Sequence, residues 1–417
     1  MFSDEFYQQE GVPQGSVLSV TLFIIKINDI IKQLPPYVHG SLYVDDFQIH
    51  CAGTDMSFVV RQIQTAIARI SKWADKNGFV FSVNKTKCMH FCRRRGLHPD
   101  PEILINGNVI PVVSEEKFLG VLLDRKLTFR PHVSNLKKKC NKSLDLLKVL
   151  SSKSWGAGYD TLLKIYRALV LSKLDYCSIV YGSAAKTVLQ SLDSVHHQGL
   201  RLISGAFRTS PVQSLYVMTG ELPLQLRREK QCIKYYFKVK SNRRHPMYDR
   251  ILNPILGHIG IVGNEKADIA VKEARRITWP YVPLPDIDGI LRSEVSRSWQ
   301  EIWNTQVNNK LHYIQPSVGG FKPCNFNRNI NVKLVRLHIG HTYFAHRYLL
   351  HSEPAPICQT CNANFTVRHI LSECEIFNNC RIKWFGKAHP QLHELLGDPP
   401  HFNLFSFVAE IGFMKVI

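Results

Sequence analysis

The 417-residue chain lacks two features that would direct it out of the cell or into a membrane. Its first residues are polar and acidic, with no apolar core behind them, so no secretory signal is recognisable. Its most apolar windows, residues 17–31 and 168–185, are short and interrupted by charges, so neither fits a bilayer. We therefore expect a protein of the cytosol or the nucleus that has no membrane partner.

Acidic residues are scarce beside basic ones. The chain has 33 Asp and Glu against 53 Lys and Arg, a net charge of +20. A globular composition this basic favours a polyanionic partner, with nucleic acid first and a membrane surface second. A basic but otherwise ordinary protein is the alternative.

The cysteines do not form a disulfide framework. Eleven is an odd number, and they are scattered along the chain. Without a secretory signal they should be mostly reduced thiols, with room for one metal site.

Hydrophobic spacing predicts a mixture of helices and short strands. An amphipathic helix is expected at 54–78, and a hairpin at 103–110 turns on Asn106-Gly107. Alternation predicts a strand pair or bend at 79–92 and a single strand at 117–123. Further helices are expected near 131–151, 158–173, 187–205, 263–276 and 289–311, with a proline-rich linker near 278–289.

Two adjacent acids, Asp45 and Asp46, stand between apolar runs and suit the tip of a tight hairpin. Adjacent carboxylates can share the divalent cations of a two-metal nucleotidyl transfer. For an isolated Asp-Asp pair, an acidic turn without function is the commoner explanation.

The setting of the two acids changes that judgement. Upstream lies Gly11-Val-Pro-Gln-Gly-Ser16; downstream lie Asn84-Lys-Thr-Lys-Cys-Met-His-Phe91 and Lys117-Phe-Leu-Gly-Val-Leu-Leu-Asp124. In this order, the segments resemble the palm motifs of reverse transcriptases. Segments between Leu127 and Val212 resemble the thumb and connection of non-LTR retrotransposon enzymes of the Jockey type, so the resemblance extends to about residue 245.

The resemblance implies RNA-templated DNA synthesis on a template–primer of RNA and DNA. It makes Asp45 and Asp46 ligands of Mg2+ or Mn2+, and places Pro13, Gln14 and Gly15 at the template and nucleotide. Lys85, or alternatively Lys87, would lie near the leaving pyrophosphate. Phe118, Leu119 and Gly120 would support the primer end.

One departure from the family pattern concerns a further catalytic aspartate, which relatives carry upstream of the Pro-Gln-Gly segment. Here ten residues precede Gly11, and their acids do not follow an apolar strand. A palm that lacks one of three metal-holding acids should lose much of its transition-state stabilisation. We therefore expect a catalytically impaired fragment that binds nucleic acid, unless an upstream exon or a partner chain supplies the missing palm strand.

Residues 257–268 resemble the end of a ribonuclease H domain, in which His258 and Asp268 match a mobile histidine and a metal-binding acid. The alternative is a glycine-rich turn before a helix that Asn264 caps. The rest of that domain has no counterpart here, so we expect a remnant helix without nuclease activity.

Near the carboxyl end, Cys358, Cys361, His369 and Cys374 have the spacing C-x2-C-x7-H-x4-C. This ligand set suits tetrahedral Zn2+; reduced thiols beside a surface histidine are the alternative. Four further residues are weaker candidates for ligands: His338, His341, His346 and Cys380.

Basic clusters recur at 93–95, 137–139, 227–228 and 243–244. Each alone is usually a solvated face, but on a reverse transcriptase thumb they would follow a duplex backbone. The adjacent aromatic residues at 235–237 could stack on bases, although packing in a core is the commoner role.

These observations predict an α+β fold with a truncated reverse transcriptase palm (1–125) and a mostly helical thumb and connection (126–253). A ribonuclease H remnant (254–277), a linker and helix (278–331), a zinc-knuckle-like region (332–395) and a tail (396–417) follow. A zinc-dependent interaction protein with no polymerase role remains a further alternative.

Overall fold

The computed structural model describes residues 11, 15–92, 99–249, 284–320 and 326–417. They belong to two compact units, Met1–Phe129 and Arg130–Ile417, which are described separately below. Helices outnumber strands, and the strands form small two-stranded antiparallel sheets, which confirms the α+β class. Across the described ranges, no helix combines the length and apolar character needed to cross a bilayer.

The first unit alternates helices with β-hairpins. Each hairpin pairs strands that are neighbours in sequence. The elements are α1 (Val17–Asn28), β1 (Val38–Tyr43), β2 (Asp46–Cys51), α2 (Met56–Asn77), β3 (Leu104–Ile105), β4 (Asn108–Val109), β5 (Glu115–Phe118) and β6 (Val121–Asp124).

Helix α2 confirms the amphipathic helix predicted at 54–78. The Asp55 side chain caps its start by accepting a hydrogen bond from the Ser57 backbone N–H at 3.0 Å. Gly78 ends it in the left-handed conformation, at φ +73°. The face that contains Ile67 and Ile70 is buried.

The core of the first unit forms on this buried face. Ile67 packs with Ile103 and Ile110, and with the partly buried Ile49 of β2 and Val83. Burying a side chain of this size stabilises the fold by about 1.5–3 kcal/mol. The shared core therefore fixes the β1–β2 hairpin, the segment near Val83 and the β3–β4 hairpin to one helix.

Two predictions in this unit need comment. Of the strand pair or bend predicted at 79–92, the structure has the bend, because a 3-10 turn at Val83–Lys85 turns the backbone. It contains one isolated bridge, Cys88 to Val112. The predicted strand at 117–123 is instead the hairpin β5–β6, since Leu119 and Gly120 adopt φ +45° and +84° and reverse the chain.

The second unit is mainly helical. Its first half comprises α3 (Arg130–Leu150), α4 (Tyr159–Tyr166), α5 (Ser172–Asp175), α6 (Ser178–Tyr181), α7 (Lys186–Gln190), α8 (Asp193–Ser204), α9 (Val212–Thr219) and α10 (Leu224–Lys240). A π-turn at Arg167–Leu171 joins α4 to α5. The helix predicted at 187–205 is two helices, α7 and α8, and the one predicted at 158–173 contains that π-turn.

The later elements of this unit are also helices, most of them short. They are α11 (Leu284–Asn304), α12 (Lys310–Ile314), α13 (Arg328–Ile339), α14 (Tyr343–His346), α15 (Tyr348–His351), α16 (Asn378–Phe385), α17 (Leu392–Leu396) and α18 (Leu404–Glu410). Helix α11 begins five residues before the predicted 289–311 helix and ends earlier.

Two buried arginines connect α13 to the end of α8. Arg328 donates hydrogen bonds to the carbonyls of Leu202, at 2.7 Å, and Ile203. Arg336 donates to the Gly205 carbonyl at 3.0 Å. Carbonyls at a helix end have no intrahelical donor, so these guanidinium groups satisfy them.

The segment predicted as a tail, residues 396–417, is part of the core. Leu404 and Phe407 of α18 are fully buried with Leu334 of α13 and Leu395 of α17. The region that contains the cysteine cluster therefore shares its hydrophobic core with residues on both sides of it.

Candidate metal centres

The first candidate centre is the tip of the β1–β2 hairpin. Tyr43 pairs with Asp46, so Val44 and Asp45 form a two-residue turn. Asp45 and Asp46 are both exposed. The fold places two adjacent carboxylates where a divalent cation can reach them.

The backbone of this turn is strained. Val44 has φ +56°, in the left-handed region that β-branched residues avoid. Its side chain is 46% exposed, so burial of the valine does not explain the conformation. Strain of this kind concentrates at functional sites, where the required position of a side chain outweighs its cost.

The other residues predicted for the polymerase site lie elsewhere in the first unit. Gly15 is exposed at φ +95° just before α1, whereas Pro13 and Gln14 lie outside the described residues. Lys85 is exposed on the 3-10 turn, and Phe118 ends β5 before the Leu119-Gly120 turn.

The hairpin and the Lys85 turn share the core around α2, but their charged groups are not in contact. Among the described residues, no ion pair joins Asp45 or Asp46 to Lys85 or Lys87. The structure thus brings the elements together without showing a closed site.

Helix α1 presents apolar side chains to solvent. Along its length, Ser19 and Ile27 are buried. Six aliphatic residues are between 44% and 90% exposed: Val17, Leu18, Val20, Leu22, Ile24 and Ile25.

The second candidate centre is the predicted ligand set of Cys358, Cys361, His369 and Cys374. One ligand atom from each lies within 4.8 Å of all the others. The Sγ atom of Cys374 is 3.8 Å from that of Cys358 and 3.9 Å from that of Cys361. Zn–S bonds of about 2.3 Å at a tetrahedral angle place two sulfurs about 3.8 Å apart, so the spacing fits zinc.

Local backbone geometry positions these ligands. His369 begins a π-turn, and the Cys374 N–H donates to the His369 carbonyl at 2.7 Å, five residues back. Asn362, at φ +49°, turns the chain after Cys361 and donates its N–H to the Cys358 carbonyl at 2.9 Å.

The chemistry of the cluster also suits a cation. The Nε2 atom of His369 is buried and has no hydrogen-bond partner among the described residues. Hydrogen bonding from the Cys361 backbone lowers the pKa of the Cys358 thiol, whereas burial raises that of Cys374. Zn2+ binds thiolates and neutral imidazole and would thus occupy the otherwise unsatisfied centre.

Sequence reasoning missed a buried residue beneath this cluster, Arg381. Its guanidinium donates to the carbonyls of Cys374, at 2.7 Å, Ile370, at 3.4 Å, and Ala388. No spacing rule identifies such a contact, because a lone arginine in a helix usually faces solvent.

The weaker ligand candidates lie apart from the cluster. His338 is buried against the Leu334 carbonyl, with Nδ1 at 2.8 Å from the oxygen. His341 and His346 stack with their ring centroids 3.7 Å apart, and Cys380 contacts Glu410 at 3.7 Å.

The basic and aromatic residues that were predicted to contact a nucleic-acid duplex differ in whether they are paired, exposed or buried. Arg227 is held by Asp175 through two hydrogen bonds of 2.7 and 2.6 Å, so it is already paired. Lys138 and Lys139 are exposed on α3, and Tyr236 is buried. The cluster at 93–95 lies outside the described residues, as do His258 and Asp268.

Comparison with known proteins finds a family whose sequences resemble the first unit. Residues 2–123 match the family described as reverse transcriptase (RNA-dependent DNA polymerase). The chain is 28% identical over 275 residues to the RNA-directed DNA polymerase from mobile element jockey of Drosophila funebris, covering 64% of this chain and 29% of that protein.

Two further relatives extend the similarity. The Pol polyprotein of the type-1 retrotransposable element R1 of Bradysia coprophila is 22% identical over 386 residues, which cover 89% of this chain and 35% of that protein. The probable RNA-directed DNA polymerase from transposon X-element of Drosophila melanogaster is 26% identical over 49% of this chain and 22% of its own length. No solved structure matches.

The first three relatives found are much longer proteins, of which the matched regions cover 29%, 22% and 35%. The order of the motifs, the hairpin that carries two acids and these similarities all indicate the same family. Residues 2–123 thus match the reverse transcriptase family, and the relatives found come from LINE-type, non-LTR retrotransposons.

Proposed function

We propose that this chain is part of a retrotransposon enzyme that synthesises DNA on an RNA template by two-metal nucleotidyl transfer. The observation that carries the proposal is the exposed Asp45-Asp46 pair at a strained hairpin tip, inside a segment that matches the reverse transcriptase family. Mg2+ or Mn2+ held there would stabilise the charge that develops on the phosphate.

The roles of neighbouring residues follow from the same proposal. Gln14 and Gly15 would line the template and nucleotide, and Pro13 would turn the chain there. Lys85, with Lys87 as the alternative, would neutralise the leaving pyrophosphate. Phe118, Leu119 and Gly120, at the end of β5 and in the turn that follows it, would support the primer end.

We further propose that Cys358, Cys361, His369 and Cys374 hold structural Zn2+ and that their unit contacts RNA or DNA. The fitting sulfur spacing and the unsatisfied His369 Nε2 support the zinc part. The net charge of +20 supports the nucleic-acid part.

Primer extension on an RNA template tests the polymerase proposal, together with Mn2+ binding followed by electron paramagnetic resonance. The test variant is Asp45→Asn/Asp46→Asn. The control, Asp75→Asn/Glu115→Gln, removes two exposed negative charges elsewhere in the unit. We expect wild type and control to bind Mn2+ with template–primer, and the test variant to lose that binding.

Extension by the 417-residue chain is a separate readout. If the chain is a catalytically impaired fragment, as predicted, it should form no more extended primer than the test variant does. Product that the Asp45→Asn/Asp46→Asn change abolishes would contradict this prediction and show that a further acid completes the site. Equal Mn2+ binding by wild type and test variant would overturn the metal-site proposal itself.

A further inference from the structure

Arg381 carries a positive charge that is completely buried. It lies on α16, and its side chain is 0% exposed. Charged side chains are almost never buried to this extent unless an opposite charge pairs with them. Across the described ranges, the ion pairs near α16 involve other cations and leave this guanidinium without a carboxylate. Its counter-charge must therefore come from another kind of group.

The carboxylates around α16 are paired elsewhere or lie in solvent. Glu373 accepts a hydrogen bond from Arg368 at 2.7 Å. Glu410 is held in the same way by Lys383 at 2.8 Å. Glu375 is exposed. None of the three serves as a buried partner for the guanidinium.

The guanidinium instead faces the segment that carries two of the four cluster residues. Its Nη2 donates to the carbonyl of Cys374 at 2.7 Å, and its Nη1 to that of Ile370, the residue after His369, at 3.4 Å. A carbonyl oxygen and the Sγ of the same cysteine are separated by four bonds. The positive charge thus lies within about 7 Å of the Cys374 sulfur, a range over which buried charges are little screened.

A metal bound by the cluster would supply the missing negative charge. Zn2+ binds cysteine as thiolate and histidine as neutral imidazole. The cluster has three cysteines and one histidine. Three thiolates contribute −3 and the ion +2, so the occupied centre has a net charge of −1. A single arginine compensates that charge, whereas the backbone carbonyls that it contacts have none.

We propose that Arg381 is the counter-charge of the metal-occupied cluster and adapts the centre to three thiolates and one imidazole. The inference rests on the proposed zinc site and adds to it a residue outside the C-x2-C-x7-H-x4-C pattern. Arg381 is also a positioning residue, because it holds the carbonyls of Cys374 and Ile370. The experiment has to separate the effect of its charge from the effect of these hydrogen bonds.

Zinc affinity of the full chain, from competition with a chromogenic chelator, is the first measurement. We expect Arg381→Met to weaken zinc binding about 10- to 100-fold, the usual effect of removing a residue that supports a metal ligand. Lys383→Met is the matched control. It removes one positive charge from the same helix, but the Lys383 side chain is 59% exposed, so zinc affinity should stay within about twofold of wild type.

A second ligand set separates charge from hydrogen bonding. Cys361→His gives two thiolates and two imidazoles, which also bind Zn2+ as a tetrahedron but form a neutral centre. In that background, Arg381→Met should weaken zinc binding about tenfold less than in the original set. If Arg381 acts through its hydrogen bonds alone, the loss is the same in both sets. The absorption spectrum of bound Co2+ checks that each variant keeps a tetrahedral site.

Equal zinc affinity of wild type and Arg381→Met, or an equal loss in both ligand sets, would overturn the inference. If Arg381→Met or Cys361→His gives no tetrahedral spectrum, Arg381→Lys and Arg381→Gln decide. Lysine keeps the charge and glutamine only a donor, so glutamine binding zinc as tightly as lysine would contradict the counter-charge role.

Failure of the zinc proposal has a different result. If wild type binds zinc no more tightly than Cys374→Ser, the zinc site falls and the inference falls with it. If wild type binds zinc more tightly than Cys374→Ser but the affinity does not depend on the charge at position 381, only the inference falls.

Discussion

At the scale of single residues, Val44 has the most unusual backbone conformation of the proposed metal site. A valine at φ +56° costs about 1–2 kcal/mol relative to an ordinary backbone. This strained residue lies at the tip of the hairpin that carries Asp45 and Asp46. We attribute the strain to the need to project both carboxylates from one tight turn.

Replacing Val44 with asparagine should therefore stabilise the hairpin, because asparagine tolerates the left-handed conformation. We expect amide exchange across β1 and β2 to slow about fivefold, equivalent to about 1 kcal/mol. Hydrogen-exchange mass spectrometry measures this directly. Val80→Asn is the control, since Val80 is 94% exposed and does not have a positive φ; equal slowing in both variants would contradict the strain argument.

Asp124 is a second residue whose role the structure defines. Its carboxylate accepts hydrogen bonds from the backbone N–H groups of Thr128, at 3.0 Å, and Phe129, at 2.7 Å. Burial raises the pKa of Asp124, but these hydrogen bonds lower it more, so the net shift is downward. The side chain thereby fixes the end of the first unit.

This shift predicts an acid-sensitive contribution to stability. Because the pKa is lower in the folded protein, the contribution is complete above the unfolded value of about 3.9 and is lost as pH falls through the folded value. We expect Asp124→Asn to lower the unfolding free energy at pH 7 by about 2 kcal/mol, with a smaller effect at pH 3. Urea titrations at both pH values measure this, and the exposed Asp75→Asn should show neither change.

At the residue scale, sequence spacing predicted which side chains come together, whereas packing contacts were not predictable. The four cluster residues converge as their spacing predicts, and Asp45 and Asp46 lie at a hairpin tip, although their roles stay predictions. The contacts of Arg328 and Arg381 were not predicted, because their partners are backbone carbonyls that any sequence provides.

At the scale of elements, the π-turn at His369–Glu373 is the feature on which the cysteine cluster depends. It sets His369 and Cys374 on one side, while the turn after Cys361 sets the other two ligands. Arg381 ties the same segment to α16 through the carbonyls of Ile370 and Cys374. A bound metal would therefore hold two separate turns together.

Removal of a ligand should release zinc and destabilise this region. We expect Cys374→Ser to lose most bound zinc and to unfold at lower temperature, since small metal-bound folds derive much of their stability from the metal. Zinc per chain, from elemental analysis, and thermal unfolding with and without chelator are the measurements. Cys380→Ser is the matched control, because Cys380 lies outside the cluster; retention of zinc by Cys374→Ser would argue against the site.

Element prediction succeeded where hydrophobic periodicity is long. Helices α2 and α3 have a sustained apolar face, and their predicted positions agree with the structure to within two residues. The segment at 79–92 alternates like a strand, but local hydrogen bonds to the Ser82 carbonyl favour a turn. Short elements of this kind depend on such contacts, which periodicity does not encode.

At the scale of the whole molecule, the charge of +20 is the property most relevant to a nucleic-acid partner. Not all of the 53 Lys and Arg that produce this excess are available for binding. Arg227 is paired with Asp175, and Lys148 with Asp145 at 2.8 Å. Sequence alone identifies the excess charge, whereas the structure identifies which cations are already neutralised.

Exposed Lys138 and Lys139 on α3 should contribute to the salt dependence of duplex binding. Each phosphate contact changes the slope of log K against log salt by about 0.9. We expect Lys138→Ala/Lys139→Ala to reduce that slope by about 2, measured by anisotropy from low to moderate salt. Lys148→Ala/Lys387→Ala is the control, because both lysines are paired with carboxylates; equal slopes in the test variant and wild type would exclude contact by these two lysines.

Helix α1 has a practical consequence for the free chain in solution. Its exposed aliphatic residues form an apolar strip that water solvates poorly. Chains should therefore associate reversibly as their concentration rises, and light scattering should show an apparent mass that falls on dilution. The fraction of molecules that are free to bind a ligand then depends on the protein concentration.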